Sequence, residues 1–105
     1  MMQYVRPFGQ LQGANSATLA VTGTTGRVAV PVSGIGFRSL RIANAGTQTI
    51  FVNFGTSTVN AVIANDMPIL AGSVEVFLLP PDITHVAAIA STTGSTMYLT
   101  VGEGV

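Results

Sequence analysis

An all-β fold is predicted by this sequence: a single-domain β-sandwich or jelly roll of about seven to eight short antiparallel strands. Three observations carry the prediction. Apolar residues recur with period two in short runs, as in Leu40, Ile42 and then Ile50, Val52, Phe54. Clusters of Gly, Pro, Asn, Ser and Thr separate these runs at intervals of about 8–12 residues, the spacing of sandwiches and small barrels. No segment sustains a 3.6-residue apolar stripe with caps, and Ala61 to Ala64 has room for one helical turn only. The chain has 105 residues, the size of one domain, and is 48% apolar, ample for a core. It divides into an N-terminal arm, 1–13, and a sandwich domain, 14–105.

The arm carries Tyr4, Arg6 and Phe8, with Pro7 and Gly9 interrupting any regular pattern. Its aromatics are candidate anchors on a partner. Leu19 to Thr22 and Arg27 to Val32 are short strands around the turn cluster Gly23-Thr24-Thr25-Gly26. Pro31 donates no hydrogen bond to a ladder, so the second of these lies at an edge or ends there. Ser33 to Gly36 is a turn. Phe37 to Ala43 and Ile50 to Gly55 then read as the arms of a β-hairpin, because Asn44 and Gly46 tolerate positive φ and let the chain reverse. Phe51 points away from Ile50, Val52 and Phe54, so that strand has apolar bulk on both faces. Arg38 shares a face with Leu40 and Ile42 and is a candidate contact for a partner carboxylate.

Thr56 to Asp66 is long enough to be a crossover between two sheets. Met67 to Gly72 leads into a strand over Ser73 to Leu79. There Val74, Val76 and Leu78 face one way, and Glu75, Phe77 and Leu79 the other, again with bulk on both sides. Pro80 and Pro81 end it. His85 to Ala90 is the next strand and Ser91 to Ser95 a turn whose flanking arms look like a second hairpin. Thr96 to Val101 is last, with Met97, Leu99 and Val101 inward and Tyr98 outward.

Charge is scarce. Charged residues make up 8% of the chain, against about 25% in an average protein. There is no lysine, and the formal net charge is zero. Nucleic-acid binding relies on cationic contacts to phosphate, so no nucleic-acid partner is expected. A weakly charged surface at zero net charge favours association. The absence of cysteine removes disulfides, thiolate metal sites and a cysteine nucleophile. The longest apolar runs fall far short of the ~20 residues of a membrane helix, so no membrane partner is expected, and no targeting segment is read.

Chemistry is equally sparse. His85 has no second histidine beside it, so a metal site would need carboxylate ligands or a three-fold axis gathering three copies of it. Asp66, two residues before Pro68, and Asp82, next to Pro81, lie where aspartate caps turns. Neither a nucleophile elbow nor a calcium loop is present. The TGTTG cluster lacks the lysine and helix of a phosphate loop. A non-enzymatic protein without cofactor or metal is expected.

The runs RIANAGTQTIFVNFG, PILAGSVEVFLLPP and HVAAIASTTGSTMYLTVGEGV, spanning Arg41 to Gly104, resemble small structural proteins of tailed bacteriophages. In those proteins an apolar strand ending in phenylalanine and glycine precedes a Pro-Ile-Leu-x-Gly segment, an alanine-rich strand and a final Gly-Glu-Gly. The resemblance implies a virion component made in the host cytoplasm: a capsid cement or decoration protein on the capsid surface. It would act as a homo-dimer or homo-trimer and bridge copies of a major capsid protein. The alternative is a tail or fibre component, or a receptor- or carbohydrate-binding module. Partner contacts are expected at Tyr4, Arg6 and Phe8 of the arm and at Arg38, Phe51 and Phe77.

Overall fold

A computed structural model describes residues 7–10, 15–31, 38–92 and 94–104. They form nine strands: β1 (Gly9–Gln10), β2 (Ser16–Val21), β3 (Gly26–Ala29), β4 (Arg38–Asn44), β5 (Ile50–Gly55), β6 (Met67–Ile69), β7 (Val74–Leu79), β8 (His85–Ala90) and β9 (Ser95–Glu103). One sheet runs β2-β9-β4-β7, with the short β1 pairing the far end of β9 on the β2 side. The other runs β3-β8-β5-β6, and every pairing is antiparallel. From β2 onward the chain crosses between the sheets at every connection except β5–β6. Eight strands wound in this way, in two sheets of four, are a jelly roll. The predicted fold class is therefore the observed one.

The core lies between the sheets. Leu40, Ile42, Met97, Leu99 and Val101 from the first sheet meet Ile50, Val52, Ile69, Val86 and Ala90 from the second, all at 2% exposure or less. Their period-two spacing on β4, β5 and β9 is what the pleat requires of a half-buried strand. At one side of the sandwich Phe54 of β5 and Phe77 of β7 meet across the layers, ring centroids 5.4 Å apart and tilted by 58°.

The connections differ from expectation. The runs around Asn44–Gly46 and around 92–94 are not hairpins. β4 and β5 belong to different sheets, as do β8 and β9, and both turns are arches crossing the core. Period-two patterning is equally compatible with two strands side by side and with two strands facing each other. Hydrogen bonding decides between them. The fully buried Asn44 donates from Nδ2 to the carbonyls of Gln48 (2.8 Å) and Ile69 (3.0 Å), and its Oδ1 accepts from the Gly46 amide. The Ser95 hydroxyl donates to the Gln48 carbonyl and accepts from the Gln48 amide, tying the two arches together.

The loop 56–66, read as a crossover, instead stays within a sheet, since β5 pairs with β6 directly. Met67–Ile69 is itself a strand rather than a lead-in. β3 stops at Ala29, short of Pro31. β9 runs on to Glu103 because Gly102 and Glu103 find partners in Gln10 and Gly9. Val32 and the turn at 33–36 lie outside the described residues.

Candidate interaction surface

The outer faces of the two sheets are built differently. On the β3-β8-β5-β6 sheet the 56–66 loop folds down as a strap. Arg27 of β3 donates from Nε to the Val59 carbonyl (2.8 Å) and from Nη2 to Asn60 Oδ1 (2.9 Å). Asn53 of β5 donates to the Asn60 carbonyl, and the Ala61 amide donates to Thr25 Oγ1. The strap ends in a turn in which the Val62 amide donates to Asp66 Oδ2, the capping role expected of that aspartate. Ala61 is buried under it, and so is Ala87, on the outer face of β8 between Asn53 and Arg27. This face therefore already has its cover over much of its area.

The outer face of the other sheet is open. Its centre is polar: Ser16, Thr18, Thr96 and Thr100, with a Ser16–Thr100 hydroxyl bond, plus Tyr98 and Arg41. Its β7 side is apolar. Glu75 pairs with Ile42 and Phe77 with Leu40, so Glu75, Phe77 and Leu79 share the inner face of the sheet, where Leu79 is buried, Phe77 half-buried and Glu75 exposed at the rim. Val74, Val76 and Leu78 consequently point outward beside Ala43, Arg41 and Ser39. Val74 is 46% exposed and Leu78 69%. Around the adjoining β6–β7 turn, Met67 (44%) and Leu70 (62%) are bare as well. Of the seven large exposed hydrophobics among the described residues, four (Met67, Leu70, Val74 and Leu78) lie on β6, β7 and the turn joining them, whereas Val62 and Ile63 belong to the strap and Tyr98 to β9. That concentration on one side is what distinguishes an interaction surface from ordinary scattered exposure.

The residues expected to make partner contacts are scattered. Tyr4 and Arg6 lie outside the described residues. Phe8 is half-buried, its ring lying on Gly102, where a Cβ would collide with it and with the Gly9 carbonyl. Arg38 and Glu103 form an ion pair at 3.7 Å within this chain. Phe51 is half-buried on the outer face of β5, between Pro68 and Ile89. Phe77 faces inward and packs on Phe54. The sequence reading passed over Val74, Leu78, Leu70 and Met67. Its two-sided view of β7 held the signal, but the face bearing the glutamate is the inner one, so charge would have oriented the strand wrongly.

Among the described residues no group of three His, Asp or Glu side chains could hold a metal ion. His85 Nδ1 is bonded to the neighbouring Thr84 hydroxyl. Among the described residues no helix is long and apolar enough to cross a membrane.

No family model and no curated protein matches the chain. Solved structures do. One, described by the words "Bacillus endospore appendages form a novel family of disulfide-linked pili", superposes with a TM-score of 0.59 at 13% identity, covering 100% of this chain and 96% of that one. A crystal structure of PirA gives a TM-score of 0.47 at 17% identity, over 87% of this chain and 96% of the other. At such identities the first likeness is one of fold, in keeping with the jelly roll derived from strand order, and the second carries no argument.

Proposed function

We propose that the chain is a non-catalytic structural subunit that works by sticking to copies of itself and to a larger particle. The observation that carries the reading is the concentration of bare hydrophobics along the β6–β7 side of a rigid jelly roll with few charges to keep it apart from neighbours. The particle is a bacteriophage capsid and the role that of a cement protein, supported by the resemblance of 41–104 to phage structural proteins. A clamp that grips two neighbours at once gains holding power through effective concentration without new contacts. Contacts made by apolar and hydroxyl groups hold with little sensitivity to salt.

The test is biochemical. Mass spectrometry of purified particles should find the protein in stoichiometric amounts, and particles lacking it should release their contents at lower temperature. Its absence from particles would sink the cement reading. A second reading, a subunit of a fibre, is favoured by the likeness to the appendage protein. The disulfide linkage named for those pili has no counterpart here, since the chain contains no cysteine. Regular filaments of purified protein in negative-stain electron microscopy would select the fibre.

A further inference from the structure

We infer that two copies of this chain join by pairing β7 with β7 across a two-fold axis, making one continuous sheet. The inference rests on the self-assembly reading above and names the surface and the register.

Among the described residues β7 is an edge of its sheet, with β4 as its only ladder partner. Hydrogen-bonding residues alternate along an antiparallel ladder. Asn44 exchanges bonds with the Ser73 carbonyl and the Gly72 amide, whereas Ala45 donates the other way, to Thr96 on β9. Stepping by two from there, Glu75, Phe77 and Leu79 spend their backbone groups on β4. The amides and carbonyls of Val74, Val76 and Leu78 point off the edge, at residues whose side chains form the outward apolar row, Val74 and Leu78 exposed and Val76 half-buried.

Both edges of the other sheet are guarded. β3 has four residues and carries Arg27, and β6 has three with Pro68 at its centre. The outward residues of β2 are Ser16, Thr18 and Ala20. β7 has six residues, no proline and an unbroken register with β4, the profile of an edge open to another strand.

The strand is also its own complement. A two-fold axis through Val76 sets Val76 opposite Val76 and Val74 opposite Leu78. That register satisfies the edge groups of all three residues at once and keeps like faces together. The row of three apolar side chains becomes a patch of six whose members pack across the joint. Glu75, the one charge on the strand, then faces Phe77 of the other copy rather than a second carboxylate. An isologous contact of this kind closes on itself at two copies.

The chain has no cysteine, so single thiols report the register cleanly. Opposed residues of a hydrogen-bonded antiparallel pair have Cα atoms about 5.5 Å apart, within disulfide range. Expected results are a dimer by size-exclusion light scattering at tens of micromolar, a covalent dimer on mild oxidation of Val76→Cys, and little cross-linking of Val74→Cys alone. Val74→Cys mixed with Leu78→Cys should cross-link. Val76→Pro removes an amide that serves only the joint, so it should give a folded monomer with unchanged circular dichroism and at least tenfold weaker association. Leu78→Lys, at a site exposed in the single copy, should weaken the dimer similarly. A monomeric or trimeric wild type, a Val76→Pro protein that still dimerises, or efficient cross-linking of Val74→Cys alone would each overturn the inference. Those outcomes leave the cement reading standing if the protein is found on particles. A dimer absent from particles would do the reverse.

Discussion

Asn44 shows how one side chain can choose a topology. It is 1% exposed, yet each of its amide atoms is engaged, by the Ile69 carbonyl, the Gly46 amide and the Gln48 carbonyl that it shares with the Ser95 hydroxyl. A buried polar group left unpaired costs about 1–3 kcal/mol. Asn44→Ala removes three hydrogen bonds at a stroke and should lower stability by about 3 kcal/mol, read from the urea midpoint. Gly46 is needed for room. The glycines with positive φ among the described residues are Gly72, Gly94 and Gly104, so Gly46 does not serve as a left-handed turn residue. A Cβ there would fall on the backbone of Ser95 in the neighbouring arch. Gly46→Ala should accordingly cost about 2 kcal/mol or more, measured the same way, because backbone cannot step aside as a flexible side chain can. The sequence marked both residues as turn formers. Their actual work, holding two arches side by side, involves Ile69 and Ser95, which are distant in the chain.

Among the elements, the 56–66 loop and β7 make the sharpest contrast. The loop covers the outer face of its sheet, fastened mainly through Arg27. Arg27→Ala should leave global stability within about 1 kcal/mol, since the loss is of exposed hydrogen bonds rather than core. It should nevertheless speed amide exchange at Ala61, whose N–H bonds to Thr25 under the strap. Equal exchange in wild type and variant would mean that Arg27 is not the fastener. β7 is the reverse case, an element whose inner face is well used and whose outer face and edge are left bare. Strand positions were legible for β7, β8 and β9 because turns rich in proline, glycine and serine separate the runs, and the inward set was legible for β9, where Met97, Leu99 and Val101 alternate with Thr96, Tyr98 and Thr100. The neighbour of each strand was not legible, because period two specifies a face but not a partner.

At the scale of the whole molecule the two sheets are closed on the β7 side by Phe54 and Phe77, one from each layer. Phe77→Ala opens that seam and should cost about 2 kcal/mol, less than the 3–5 typical of a fully buried phenylalanine because this ring is half-buried. A variant as stable as the wild type in thermal unfolding would show that the seam is held elsewhere. The same side of the molecule carries the exposed row, so the closure of the core and the offered surface share one strand. By itself the sequence determined the class of fold, the positions of most strands, the inward set on β9 and the poverty of charge and chemistry that points away from catalysis. These follow from local patterning, which the pleat reads two residues at a time. Only the tertiary structure decided that the short turns are arches and the long loop a strap. It alone decided that Glu75 shares the inner face and leaves Val74 and Leu78 in the open. Those outcomes depend on which distant groups satisfy Asn44, Arg27 and Ser95, and hydrogen bonds between residues far apart in the chain leave no period in the sequence.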